Sequence, residues 1–172
     1  VHLDALAQLE LILKDEPESD IAYLFRHVIT RDVVYELLTI EHRRLLHRAV
    51  AEWYERTQSR DLAAFHPLLA HHWSYAGDVR RAIDYFEKAG EDAIRGGSYQ
   101  EAVGFLEKAV GLQSKLCTEI EAVRIARWEF RLGEAQLALG NLVRSREHTE
   151  RALQLLGARI PSLARMPLSF IR

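Results

Sequence analysis

Apolar and polar positions change period along this chain, and the changes mark its elements. Leu3, Leu6 and Ala7, with Leu9 beyond them, form the stripe of a short helix, and Leu11-Ile12-Leu13 reads as a strand. Lys14 to Asp20 holds Asp15, Glu16, Pro17, Glu18 and Ser19 and no apolar residue, which predicts a solvated acidic turn. Ile21, Tyr23 and Phe25 then alternate with Ala22, Leu24 and Arg26 in strand fashion, whereas Ile29, Val33, Val34, Leu37 and Leu38 recur at helical spacing. A strand therefore runs into a helix within Tyr23–Tyr35, with the titratable His27 at the junction. Thr30 is placed to cap this helix, with Asp32 in its first turn, and Thr39 to cap another whose apolar face is Leu46, Ala49, Val50, Trp53 and Tyr54.

From Arg60 onward the pattern is helical throughout and punctuated by glycine. Asp61 opens a helix that ends at Gly77, and Asp78 opens one that ends at Gly96-Gly97. Ser98-x-x-Glu101 and Thr118-x-x-Glu121 are capping boxes for two more, and Asn141 opens a last helix that runs to Gly157. Laid over one another, the segments show a repeat. Gly77-Asp78 is followed by Ala82, Phe86 and Ala89; Gly97-Ser98 by Ala102, Leu106 and Ala109; Gly140-Asn141 by Ser145, Thr149 and Ala152. Small residues recur where two helices must approach closely.

Composition narrows the function classes. Hydrophobic residues make up 48% and charged residues 28%, a globular balance, and the formal net charge of -2 removes the main electrostatic argument for nucleic acid. The single Cys117 has no partner for an internal disulfide, and no apolar run is long enough to span a bilayer, so a reduced cytoplasmic protein without a membrane partner is expected. The opening at Val1 and the tail after Pro161 suggest a piece of something longer. Phosphate-loop, dinucleotide and His-Glu-x-x-His patterns are absent. His71-His72 are adjacent and His42 and His47 are five apart, so neither pair has the spacing for a shared metal ion, and no metal site is expected. No carboxylate pair or Cys-His pattern stands out, and this segment is not expected to be an enzyme.

Two resemblances refine this. Leu69-Ala70-x-x-Trp73-x-x-x-Gly77 and Leu132-Gly133-x-x-Gln136-x-x-x-Gly140 stand before the first and third repeat sets and resemble the tetratricopeptide repeat. Gln136 replaces its aromatic residue, Ser145 and Thr149 replace its small and apolar positions, and no proline closes a unit. The resemblance implies a superhelix with a concave face for a peptide or partner helix. Candidate positions on it are His71, Ser74, Arg127, Phe130, Arg131 and Glu134, and the lysine and asparagine set that clamps a C-terminal carboxylate in some such modules is missing.

The order helix, strand, acidic turn, strand, helix is that of the back half of a winged helix. Moreover, Phe25-Arg26-His27-x-x-x-Arg31-Asp32-Val33-x-Tyr35-Glu36-x-Leu38, followed by Arg43-Arg44-x-x-His47-x-x-x-Ala51, resembles a segment of bacterial multidomain signal-transduction ATPases of the STAND or AAA-like type. In those proteins an NTPase module is followed by a winged helix and tetratricopeptide-like repeats, with a class III adenylyl cyclase or a LuxR-type domain elsewhere in the chain. The resemblance implies a mainly α chain: a partial winged-helix segment over 1–58 (hairpin near 9–26, helices near 30–57), tetratricopeptide-like repeats forming an α-solenoid over 59–157, and a tail over 158–172. It implies a regulatory arm that couples a sensed ligand or partner to the ATP or ADP state of an upstream NTPase module, with no cofactor in this segment and self-association left open. In related proteins a winged-helix Met-His-Asp histidine meets the ADP phosphate, and His27, flanked by Arg26 and Val28 and near Arg31, is the matching position. The alternatives are that His27 satisfies a buried carbonyl, that the chain is a stand-alone repeat scaffold, and that it is a winged-helix DNA binder.

Overall fold

The leucine stripe at the start of the chain forms α1 (His2–Gln8) in the computed structural model of the protein, which describes residues 2–15, 22–59, 61–115 and 121–158. Glu10, with φ of 56°, turns the chain into β1 (Ile12–Asp15), which pairs antiparallel with β2 (Ala22–Phe25). Ile12 lies opposite Phe25, Leu13 opposite Leu24 and Lys14 opposite Tyr23. Alternation puts Ile12 on the inner face, where it is buried, and leaves Leu13 and Leu24 exposed. Leu3, Leu6, Tyr23, Phe25 and Val34 gather around the same inner face and line an apolar cavity of about 240 Å³. A two-stranded ribbon is marginal alone, and these neighbours are what hold it.

Helix α2 (Val28–Leu37) begins before Thr30, so Thr30 is not its cap. His27 is: its backbone is extended (φ −127°, ψ 133°), its carbonyl accepts from the Arg31 N–H at 3.3 Å, and the helix is already under way when Thr30 is reached. The Thr39 cap is present. His42 N–H donates to Thr39 Oγ1 at 3.3 Å at the start of α3 (Ile40–Thr57). Arg43 secures the corner between the two helices, donating to the Glu36 carbonyl at 2.8 Å and lying 4.7 Å from the Tyr35 ring centre.

The chain divides into two compact units, Val1–Leu46 and His47–Arg172. The boundary expected at residue 58 thus falls within the second unit, because the latter part of α3 gives its side chains to the helices that follow. Ala51 is fully buried, Tyr54 lies 5.0 Å from the Phe65 ring, and Glu55 accepts hydrogen bonds from Trp73 Nε1 at 3.0 Å and Tyr85 Oη at 2.7 Å.

In place of one helix from Asp61 to Gly77 there is a 3₁₀ turn, Leu62–Phe65, and then α4 (His66–Ala76). Asp61 makes no side-chain cap bond, and Pro67 sits in the first turn of α4, where a missing N–H costs nothing. The helices α5 (Val79–Arg95), α6 (Tyr99–Gln113), α7 (Ala122–Ala138) and α8 (Leu142–Leu155) follow. Each packs chiefly on its neighbour in sequence, the arrangement of an α-solenoid. The described residues are therefore mainly α-helical, with one small hairpin. Leu69, Trp73, Ile83, Phe86, Leu106, Trp128 and Leu132 form the core of the array. Gly77, Gly97, Gly140 and Gly157 all have φ between 73° and 80° and close their helices with the same pair of bonds, as when Gly77 N–H donates to the Ser74 carbonyl and Asp78 N–H to the Trp73 carbonyl.

The repeat shows in burial. Ala82, Phe86 and Ala89, then Ala102, Leu106 and Ala109, and finally Ala152 are all buried. The departures at Ser145 and Thr149 face Gly133, where a Cβ would lie 2.7 Å from Thr149 Oγ1 and 3.2 Å from the Ser145 carbonyl oxygen. Gln136 replaces an aromatic residue because its side-chain oxygen accepts from Asn141 Nδ2 at 2.8 Å, tying one helix to the next. Asn141 spends its amide there and makes no side-chain cap, Ser98 makes none either, and only Asp78 of the three accepts from the helix it opens, at 3.1 Å from Arg81 N. Helix α7 opens with Glu121 as its N-cap, three residues after the expected Thr118, and the acidic turn at 16–20, Ile21, Cys117, Thr118 and the tail after Ala158 lie outside the described residues.

Candidate functional site

Three helices of the second unit build a groove of about 360 Å³, within the range of small-ligand and peptide-side-chain sites. Helix α4 contributes His71 and, one helical turn on, Ser74 and Tyr75, and α5 contributes Phe86. Helix α6 supplies the other wall with Lys108, Gly111 and Leu112, and Lys115 joins it from the turn just past the helix. Lys108 Nζ lies 5.5 Å from the Phe86 ring centre, so the aromatic floor faces a cation. Among the described residues no carboxylate lines the groove, and neither Lys108 nor Lys115 has an ion-pair partner. The net chemistry is an apolar floor edged by positive charge.

One rim carries a histidine cluster. His47 and His72 meet through their Nδ1 atoms at 2.9 Å, one donating and the other accepting, and the His47 ring stacks on Tyr75 at 4.9 Å. Burial, followed by the nearby His47 and His71, holds the His72 imidazole down at about 4. His47 is lowered too, first by burial and then by His71. The pair is neutral near pH 7 and packs as aromatic rings. Among the described residues no group of three or more His, Cys, Asp or Glu is placed to hold a metal ion.

The six expected concave-face positions do not share one site. His71 and Ser74 line the groove just described. Arg127 and Phe130 line a second, almost wholly apolar groove of about 300 Å³ between α7 and α8, with Val123, Leu153 and Leu156. Arg131 pairs with Glu134 at 2.7 Å and lies instead with Glu91, Ile94 and Arg95. Phe130 and Arg131 are successive residues of α7 and line different grooves. In the first unit, His27, Arg26 and Arg31 are not joined. Arg26 pairs with Glu10 at 2.7 Å, Arg31 with Asp32 at 2.7 Å, and the exposed His27 imidazole makes no hydrogen bond among the described residues, so it satisfies no buried carbonyl there.

The groove residues missing from the sequence-derived set are Tyr75, Phe86, Lys108, Gly111, Leu112 and Lys115. A signal was present: Lys108 and Gly111 fall on one helical face three residues apart, and Lys115 follows at the next step of four, just past the end of α6.

No family model matches the chain. Over 111 residues, 63% of the chain, it is 30% identical to an uncharacterized protein of Rhizobium meliloti (strain 1021). That match spans 11% of the relative, which puts the relative's length near 1,000 residues. No helix among the described residues is long and apolar enough to cross a membrane.

Proposed function

We propose that this chain is the regulatory and protein-interaction arm of a larger signalling ATPase, in which a tetratricopeptide-like array senses a partner and biases the nucleotide state of an upstream NTPase module. The observation that carries the proposal is the open, positively edged groove on a helical array. A solenoid of this kind offers contact area and no reacting centre, so its natural work is to bind and, by binding, to shift an equilibrium elsewhere. The small share that the match spans of a relative near 1,000 residues long fits an arm of a larger protein. In this proposal His27, at the N-terminus of α2 with an imidazole that makes no hydrogen bond among the described residues, is the group that meets a nucleotide phosphate; the positive end of the helix favours an anion there.

The test uses the full-length parent and a fluorescent ADP analogue. Deletion of residues 61–158 speeds ADP release about tenfold if the array restrains the module, a coupling of ordinary size. His27→Ala speeds release with the array in place. A stand-alone scaffold predicts unchanged release on deletion, and a winged-helix DNA binder predicts salt-dependent affinity for duplex DNA in its place.

A further inference from the structure

The α4–α6 groove is chemically lopsided, and that asymmetry specifies its occupant. Among the described residues, two unpaired lysines and a histidine edge it, no carboxylate lines it, and its floor is Phe86 with Leu112. The chain as a whole is slightly acidic, so this positive edge is local and does not follow from overall charge. Gly111 adds a second observation. A Cβ there would meet nothing within 4 Å, so no contact inside the array requires glycine, yet glycine in a helix interior costs about 0.5–1 kcal/mol relative to alanine. Its effect is to leave the helix backbone bare between Lys108 and Lys115, where a bound chain can approach closely.

We infer that this groove binds an acidic protein segment carrying an apolar or aromatic side chain, the carboxylates meeting Lys108 and Lys115 and the apolar group resting on Phe86 and Leu112. The inference rests on the proposal that the array is a partner-binding arm and names what it binds. Lysine acts here as a mobile point charge, which suits a run of carboxylates better than a single fixed one. The aromatic floor supplies the apolar contact that charge alone lacks. Since the charged edge is open to water, affinity falls as salt rises.

The experiment is fluorescence anisotropy of the 172-residue chain with a labelled ten-residue peptide of glutamate and aspartate interrupted by two phenylalanines, beside the same peptide with lysine replacing every acid. Saturable binding of the acidic peptide alone, weakened at least about tenfold by Lys108→Glu/Lys115→Glu, is the expected result, because like charges placed in contact are costly. Gly111→Leu fills the groove without meeting any neighbour within 4 Å at its Cβ, so it abolishes binding while thermal unfolding stays at or above that of the wild type. Equal binding of both peptides, binding untouched by these substitutions, or binding of inorganic pyrophosphate without the acidic peptide overturns the inference. The ADP-release measurement on the parent stands apart, so failure of the peptide experiment does not decide the regulatory proposal.

Discussion

Two glycines show how one residue type serves opposite ends within this fold. A Cβ at Gly104 meets nothing within 4 Å, whereas one at Gly133 lies 2.7 Å from Thr149 Oγ1, a hydroxyl already donating to the Ser145 carbonyl at 2.8 Å. Both substitutions to alanine gain the same helix propensity, so their difference reports the contact. Gly104→Ala is expected to raise unfolding free energy by about 0.5–1 kcal/mol, and Gly133→Ala to fall below it by about 1–3 kcal/mol, the usual cost of overpacking. Urea denaturation of the two variants checks this, and equal stabilities would refute the close approach of α7 and α8. The glycines that close helices were legible in the sequence, because a left-handed residue after a helical stretch leaves few alternatives to glycine. Gly133 was legible only as part of a repeat signature; its partner in space, Thr149, is sixteen residues away. Caps were read less well. Thr30 lies inside its helix, which His27 opens, whereas Ser98 and Asn141 do hold the N-cap positions of α6 and α8 but make no side-chain cap bond, the Asn141 amide going to Gln136 instead.

Between elements, half-buried polar groups do what the sequence pattern could not announce. Glu55 accepts from Trp73 Nε1 and Tyr85 Oη and so joins α3, α4 and α5. Burial and this bond raise the Tyr85 phenol well above its usual range. Glu55→Ala leaves both donors without that acceptor and is expected to lower stability by about 2 kcal/mol, with Glu55→Gln, which keeps an acceptor, losing less than half as much. Thermal melts of the pair distinguish the two. At the junction of α3 with α4, the histidines carry a pH dependence whose sign is fixed. An unfolded chain takes up a proton at His72 near 6.5, the folded protein only near 4, so the unfolded state binds more protons between these values. The stability due to this group is complete above about 6.5 and is lost as the pH falls toward 4. In a series of melts over that window, His72→Gln is expected to flatten the slope, and a slope identical to wild type would show that the cluster does not titrate on unfolding. Adjacent His71 and His72 gave no hint of this in the sequence, because His47 reaches them from another helix.

For the whole molecule, what could be read in advance was periodic. Helices, hairpin and the glycine-marked repeat each repeat a local signal, and the mainly α architecture followed from them. The division within α3 and the composition of the groove did not, since both depend on which faces of separate helices meet. Lys108 and Lys115 come to lie beside Phe86 and Tyr75 only when separate helices meet. The central claim, that the array restrains a nucleotide-binding module in a longer chain, is tested most directly by the rate of ADP release from the full-length parent with and without residues 61–158. The account predicts about tenfold faster release without the array; a parent that binds no nucleotide, or that releases it at the same rate in both forms, contradicts it.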